Sequence, residues 1–410
     1  MLPVAVAIIS AIVLSGALGV VLLLRQAAAV AAHWETVPAG FAGEVSLEEH
    51  QRAAAYTSAR AKLGIIQTIF DTSIAALWLT VLLAPLYQLI AQFIGPGMLR
   101  SVAVVVAFAL IERLFHLPFS VFRTFWLEAR FGFNRTSPLM FAADKLKGLA
   151  LSGALGVPLL IALFWLPLVV PFWWWLAAWA GFIALAIAMS VIIPLFVDPL
   201  FNKFKALPGG PLRERIEALL GKCDFASKGL FVMDASRRST HGNAYFSGLG
   251  NAKRIVLFDT LLQNHTDDEI LSILAHELGH YKLGHIGQRI AEMAAFAFLG
   301  FAVLGVAFEH GSFIGAFGLP ADPGLILIAV LFAMGPLLHL LSPLTSYLSR
   351  RAEYQADHFA RQMTGPSPMI SALMRLAREN LSTLTPDGLY ALFYYSHPPV
   401  PDRIAKLKSA

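Results

Sequence analysis

No charged side chain occurs between residues 148 and 197, which read GLALSGALGVPLLIALFWLPLVVPFWWWLAAWAGFIALAIAMSVIIPLFV. One membrane-spanning helix needs about 20 apolar residues. The stretch is therefore too long for one span and suits two, with a turn near Pro167 to Pro171. It predicts a mostly α-helical protein that crosses a bilayer several times.

The composition of the whole chain agrees with this class. Of 410 residues, 57% are hydrophobic and 14% are charged, whereas soluble domains carry about 25% charged residues. A lipid bilayer is therefore an expected partner. The formal charge of +5 is typical of basic loops beside a membrane, and we expect no nucleic-acid binding. The single cysteine, Cys223, excludes an internal disulfide and a metal site built from cysteines.

The apolar runs predict five spans in an N-terminal membrane region, residues 1–197, and two more in a second region, residues 198–410. The predicted spans are residues 2–24, 72–94, 100–118, 149–167, 172–196, 291–309 and 323–348. The first is interpreted as a retained helix and not as a signal peptide, because Arg25 follows the apolar run and no basic residue precedes it. The third contains Glu112 and Arg113, which face either the protein interior or the membrane interface.

Basic residues are distributed unevenly over the loops. With seven spans, the loops after spans 1, 3 and 5 and the C-terminal tail share one side. The first two of these loops contain Arg25, Arg52, Arg60, Lys62, Arg123, Arg130, Arg135, Lys145 and Lys147. The opposite loops contain only Arg100. The positive-inside rule then predicts that the N-terminus is outside and that the polar region after residue 198 faces the cytosol.

This polar region shows short elements of both types. Residues 211–220 predict a helix, and residues 229–234, 241–247 and 254–259 predict strands. Gly248-Leu249-Gly250-Asn251 predicts a hairpin turn between the last two. Thr266 and Glu269 form a capping-box pattern, which predicts the start of a helix. We expect a small β-hairpin or sheet beside that helix.

The predicted helix carries the motif H-E-x-x-H at residues 276–280. His276 and His280 at i and i+4 share one helix face, which is typical of a zinc site. A catalytic zinc takes a third protein ligand, and Glu353 is the candidate. Asp357, at i+4 from Glu353, is then expected to accept a hydrogen bond from a ligand imidazole. The alternative for Glu353 and Asp357 is a solvated acidic pair on an arginine-rich helix.

Glu277 is expected to act as the general base of a peptidase, by assisting attack of a zinc-bound water on the scissile carbonyl. His397, with Arg403 nearby in the sequence, is a candidate donor to the oxyanion, or an ordinary loop histidine. Asn243 and Ala244 lie on a predicted edge strand that could pair with an extended peptide, so both are candidate substrate contacts. The alternative is a purely structural hairpin.

Several motifs together resemble those of the type I CAAX prenyl endopeptidases, a family of multi-spanning membrane zinc metalloproteases. The similar segments are residues 276–285 (HELGHYKLGH), 243–246 (NAYF), 253–261 (KRIVLFDTL), 349–351 with Glu353 and 355–357, 396–399 (SHPP), Glu128 with 131–134 (FGFN), and 198–202 (DPLFN). The resemblance extends from the third predicted span to the C-terminus. These motifs are specific as a set, and no single one is.

The resemblance implies seven membrane helices around a water-filled chamber, with a gluzincin-like zinc metalloprotease domain. It implies removal of the last three residues from a prenylated CAAX sequence. It assigns one zinc ion per chain to His276, His280 and Glu353 and the general base to Glu277. Under this resemblance Asp357 supports the site and His397 contacts the transition state.

Two features bear on the substrate and the membrane. The short loop between spans 4 and 5, and a tail that ends soon after Arg403 without a dilysine signal, are typical of a bacterial version in the inner membrane, rather than one in the endoplasmic reticulum. Bacteria generally lack prenylated CAAX proteins, so the peptide or protein substrate is either prenylated or another membrane-bound peptide. The alternatives are a bacterial quality-control metalloprotease and, outside enzymes, a transporter or scaffold with structural zinc. No oligomeric state follows from the sequence.

Overall fold

The computed structural model describes residues 2–225, 227–247 and 253–409. Within these ranges most of the chain is helical. The α-helices are α1 (Leu2–Ala32), α2 (Leu47–Leu77), α3 (Leu83–Ala91), α4 (Met98–Phe122), α5 (Pro138–Val169), α6 (Trp174–Ile192), α7 (Asp198–Phe201), α8 (Pro211–Lys222), α9 (Asp259–Asn264), α10 (Asp267–Lys282), α11 (His285–Glu309), α12 (Pro323–Thr364), α13 (Pro366–Glu379), α14 (Gly388–Tyr394) and α15 (Val400–Ser409). The strands are β1 (Phe204–Ala206), β2 (Leu230–Met233), β3 (Ala244–Ser247) and β4 (Arg254–Phe258).

Seven helical segments in the described residues are long and apolar enough to cross a membrane, which confirms the predicted count. They are Pro3–Ala32, Leu47–Ala91, Met98–Glu128, Pro138–Val169, Trp174–Phe201, His285–Glu309 and Pro323–Thr364. Several extend well beyond the predicted spans. Short π-helical segments allow this by continuing the second, third and fifth helices without a break: Trp78–Leu82, Arg123–Glu128 and Ile193–Val197.

Contacts between the membrane helices form a closed series. Helix α12 packs on α4, α4 on α5, α5 on α6, α6 on α11, and α11 on α12 again, while α1 packs against α2 and α12. Glu112 and Arg113 of the third span both have partners on neighbouring helical segments, and Arg113 is exposed. The indole of Trp78 donates to Glu112, and Arg113 donates to the hydroxyl of Ser152 at 2.6 Å. Charged groups at membrane depth are stabilised by such pairing.

The described strands form one four-stranded sheet in the order β1-β2-β4-β3. Strands β2 and β4 are parallel, and β3 pairs with β4 in the antiparallel sense, from Ala244 opposite Leu257 to Ser247 opposite Arg254. The three predicted strands are therefore confirmed, and so is the antiparallel pairing predicted for the last two. The predicted turn at Gly248-Leu249-Gly250-Asn251 lies outside the described residues. The sequence analysis missed β1, because three residues are too few to show alternation.

One hydrophobic core joins the sheet to segments from distant parts of the chain. Phe41, from the loop after α1, and Ile404, from α15, pack in the same cluster as Leu274 of α10. The loop after the third span also joins this side, since the backbone of Arg135 donates to the carbonyl of Arg238 at 3.0 Å. The loops after spans 1, 3 and 5 and the tail thus lie together, as the charge distribution predicts.

Candidate metal centre

Helix α10 begins with the predicted capping box. The hydroxyl of Thr266 accepts a hydrogen bond from the backbone of Glu269, and the Glu269 carboxylate accepts one from the backbone of Thr266. Such a box satisfies two free donors of the first turn. From there the helix passes through the core, where Leu274 and Leu278 are fully buried. This packing holds the histidine-bearing turns of α10 in a fixed position.

Helix α12 lies unusually close to α10 at Gly279. A Cβ atom at this position would lie 3.1 Å from Cα of Ala356 and 3.1 Å from Cβ of Phe359. Glycine therefore allows the two helix backbones to approach more closely than any other residue would. The close approach brings Glu353, one turn before Ala356 on α12, against the histidines of α10.

The three predicted metal ligands form a compact triangle. The Nε2 atoms of His276 and His280 are 3.2 Å apart, and each lies 3.3 Å from one carboxylate oxygen of Glu353. Ligands at about 2.0–2.1 Å from a tetrahedral zinc are separated by about 3.3 Å. Glu353 has no exposed surface, and in the described part of the chain no hydrogen bond of normal geometry reaches either oxygen. The site therefore fits a metal ion both in its spacing and in its unsatisfied buried acceptors.

Asp357 and Arg403 lie behind His276. The Nδ1 of His276 donates to Oδ1 of Asp357 at 2.9 Å, so its Nε2 lone pair points into the triangle. Burial lowers the pKa of His276, but its hydrogen bond with Asp357 and its contact with the Glu353 carboxylate outweigh burial and raise the pKa to about 9. A histidine ligand must be neutral, so metal binding at this residue releases a proton.

The structure places Arg403 away from any open surface. Arg403 is 8% exposed, and its guanidinium donates to both oxygens of Asp357, from Nε at 2.8 Å and from Nη2 at 2.6 Å. Burial lowers the pKa of Arg403, and the hydrogen bonds and charge of Asp357 more than reverse this. As a substrate contact Arg403 stays a prediction, and in the structure its donors serve Asp357.

Glu277 and His397 lie on the accessible side of the site. Glu277 is half-buried, is not part of the His276, His280 and Glu353 group, and its charge contributes to the raised pKa of Arg403. His397 is exposed, and its Nδ1 lies 2.7 Å from Oε2 of Glu353. Neither side chain is fully buried.

The predicted substrate contacts Asn243 and Ala244 lie at the edge of the sheet. Strand β3 is an outer strand and packs against α10. The side chain of Asn243 is exposed and accepts a hydrogen bond from the backbone of Ala244, which is itself buried. Of the two, only Asn243 is exposed to a substrate in this structure.

Sequence reasoning missed three residues around the triangle. Arg289 places Nη2 at 3.8 Å from Oε1 of Glu353. His285 contacts His280 through their Nδ1 atoms at 2.9 Å, and Gln355 contacts His285. His285 and Gln355 lie in the segments 276–285 and 355–357 that resemble the family, but neither segment shows which side chain each of them contacts.

Two family models match nearly the whole chain. One, described as the CAAX prenyl protease N-terminal region with five membrane helices, matches residues 26–203. The other, Peptidase family M48, matches residues 207–410. The His276, His280 and Glu353 triangle lies within the second match, and the first covers the helices that the fold places before the sheet.

Curated proteins and a solved structure are similar over most of the chain. The CAAX prenyl protease 1 homolog of Oryza sativa subsp. japonica is 35% identical over 92% of this chain and 91% of its own length. CAAX prenyl protease 1 of Saccharomyces cerevisiae is 32% identical over 89% of this chain and 86% of its own length. The crystal structure of S. mikatae Ste24p superposes with a TM-score of 0.89 at 29% identity and covers 99% of both chains. These relatives are eukaryotic and give no support to the expectation of a bacterial protein.

Proposed function

The chain belongs to the CAAX prenyl protease 1 family of M48 peptidases, and on this premise we propose that zinc held by His276, His280 and Glu353 serves its activity. It is a multi-pass membrane metalloendopeptidase that removes the C-terminal tripeptide from CAAX sequences. The triangle of ligand atoms with 3.2 and 3.3 Å sides supports the metal assignment most directly. One ion fits this triangle.

The three ligands supply two neutral imidazoles and one carboxylate. When bound there, a zinc ion polarises the peptide carbonyl and makes a nearby water more acidic. His276 is held for this task by Asp357, whose charge Arg403 balances. Glu353, buried and anionic, lowers the net charge of the loaded site by one.

Glu277 carries the proton transfers of the proposed reaction. Its carboxylate takes a proton from the water that attacks the scissile carbonyl, and later passes it to the nitrogen of the leaving amine. His397, exposed beside Glu353, donates a hydrogen bond to the developing oxyanion. The side chain of Asn243, exposed at the edge strand, contacts the extended peptide while the backbone of that strand pairs with it.

The membrane helices define where the substrate is presented. The closed series of contacts through α4, α5, α6, α11 and α12 supports the proposal that they surround a chamber. A prenylated substrate would bring its lipid into the bilayer beside these helices. The division of the chain at residue 198 and the cytosolic position of the site stay predictions, whereas residence in a bacterial inner membrane has no support from the eukaryotic relatives.

The test compares wild-type protein with Glu277→Ala, both purified in detergent. We expect about one zinc per chain in both, and cleavage of a farnesylated CAAX peptide that falls by about 10²–10⁴-fold in the variant. Glu214→Ala on the exposed surface of α8 is the control and keeps wild-type activity. His280→Ala is expected to lose the metal itself.

Three outcomes would change this proposal. Wild-type protein without a bound metal would overturn the ligand assignment. Metal without CAAX cleavage, but with cleavage of a misfolded membrane protein, would favour the quality-control alternative. Equal activity of wild type and Glu277→Ala would assign the proton transfers to another group.

A further inference from the structure

The second ring nitrogen of His280 has a partner that the proposed mechanism does not use. Its Nδ1 lies 2.9 Å from Nδ1 of His285, and Nε2 of His285 lies 2.9 Å from Oε1 of Gln355. His285 is 1% exposed, whereas Gln355 lies at the surface. The three side chains form a continuous hydrogen-bonded chain that begins at a proposed metal ligand and ends at an amide.

A glycine turn brings His285 back toward His280. Helix α10 ends at Lys282, and Gly284 has a φ of +75°, in the left-handed region. This conformation is unfavourable for a residue with a Cβ atom. Helix α11 then begins at His285, so its imidazole lies beside the last turn of α10. The contact is therefore built into the turn that connects the two helices.

The direction of donation along this chain follows from the proposed metal site. A ligand Nε2 on His280 requires the proton of that ring to be on Nδ1. Nδ1 of His285 then accepts, and its Nε2 donates to Gln355. The amide must present its oxygen, which is the atom found at 2.9 Å. With the amide reversed, donation would run the other way and place a proton on Nε2 of His280.

The two ligand histidines thus differ in what holds them. His276 is held by a carboxylate, that of Asp357, which is itself paired with Arg403. His280 is held through a neutral imidazole and a neutral amide. An outer partner that fixes the tautomer of a ligand histidine typically contributes 10–100-fold to metal affinity.

We propose that His285 and Gln355 are positioning residues that fix the tautomer and ring orientation of His280 for metal binding. The inference rests on the proposed metal site at His276, His280 and Glu353. Gln355 acts as the terminal acceptor, and His285 transmits its orientation to the ligand. Neither residue touches the metal or the substrate.

The test measures zinc affinity of the full-length protein in detergent by competition with a chromophoric chelator. Gln355→Met keeps the length of the side chain and removes the acceptor, so we expect zinc affinity to fall about tenfold or more. Gln355→Glu keeps an acceptor oxygen at this position and is expected to bind zinc with wild-type affinity. The absorption spectrum of the cobalt-substituted protein is expected to change in Gln355→Met and to recover in Gln355→Glu.

A matched control lies on the same helix. Gln362 contacts His358, with their Nε2 atoms 3.1 Å apart, and both side chains are exposed outside the site. Gln362→Met should therefore leave zinc affinity unchanged. His285→Leu, measured in the same way, should lose at least as much affinity as Gln355→Met.

The outcomes separate this inference from the proposed function. A wild-type protein that binds no metal would refute the metal site itself. Normal zinc binding by wild type, with Gln355→Met equal to Gln362→Met, would refute the positioning role alone. Equal losses in Gln355→Met and Gln355→Glu, together with lower melting temperatures, would show that Gln355 only stabilises the fold.

Discussion

Arg403 illustrates how the structure shows a contact of a predicted site residue that the sequence does not reveal. Its place shortly after His397 suggested a substrate contact. The structure buries it against Asp357, 46 positions earlier in the chain, with two hydrogen bonds of 2.8 and 2.6 Å. A bidentate arginine–carboxylate pair of this kind is rigid and directional. No local pattern could show which carboxylate Arg403 would meet.

Arg403→Lys is expected to weaken the hydrogen bonds that hold Asp357 beside His276. Lysine keeps the charge but cannot make the two parallel hydrogen bonds, so one oxygen of buried Asp357 loses its donor. We expect the free energy of unfolding to fall by about 1–3 kcal/mol, and zinc affinity to fall because His276 is less well held. Thermal melting and chelator competition measure the two effects.

The control for this substitution is Arg237→Lys, since Arg237 is exposed and donates to Asp234 at the surface. It should change stability by no more than about 0.5 kcal/mol. A higher KM for the peptide in Arg403→Lys, with melting temperature and zinc affinity unchanged, would instead establish Arg403 as a substrate contact.

At the scale of single elements, the seventh span shows the limit of hydropathy. Apolar residues predict its end at 348, whereas α12 continues to Thr364 and carries Glu353 and Asp357 beyond the apolar run. Hydropathy marks the part of a helix that lies in lipid, not the end of the helix. The end is set instead by Gly365, with φ +82°, and by Pro366. The helix thus links the membrane region rigidly to the metal centre.

Helices α10 and α12, which supply the ligands, can approach closely because Gly279 has no side chain. Gly279→Ala would place a methyl group 3.1 Å from the α12 backbone at Ala356, which only a shift of one helix can relieve. We expect a cost of about 1–3 kcal/mol from overpacking. Zinc affinity should also fall, because Glu353 moves away from His276 and His280. Melting temperature and chelator competition test both.

Gly287→Ala on α11 is the matched control for this element. Gly287 is exposed, and no atom lies within 4 Å of the position of its added Cβ. Alanine there should be neutral or slightly stabilising, by up to about 1 kcal/mol. Unchanged zinc affinity in Gly279→Ala would show that the helix separation does not control the ligand triangle.

For the whole molecule, the sequence predicted most of what depends on local pattern. Apolar runs predicted seven spans, short strand-like segments predicted β2, β3 and β4, and H-E-x-x-H with E-x-x-x-D selected residues that the structure brings together. The contacts of Arg289, His285 and Gln355 with the site could not be predicted. They depend on how α10, α11 and α12 pack, and packing is decided by surfaces that no single segment contains.

The orientation in the membrane is the last property that the charge distribution predicts. Gly209, before α8, lies on the side of the sheet and metal centre, and Gly95, between α3 and α4, lies on the opposite side. Both are exposed, and a side chain added at either position meets no other atom within 4 Å. The single native cysteine, Cys223, is buried, and burial raises the pKa of its thiol, so it reacts slowly. Replacing it by Cys223→Ser removes the remaining background labelling.

In sealed vesicles with the cytosolic face outward, a membrane-impermeant maleimide should label Gly209→Cys and leave Gly95→Cys unlabelled. The basic loops remain on the cytosolic side because their translocation is unfavourable, and the metal centre is packed against those loops. Detergent should make both positions equally reactive, which controls for local accessibility. Labelling of Gly95→Cys alone in sealed vesicles would place the metal centre on the opposite side, and the peptide would then have to reach it from there.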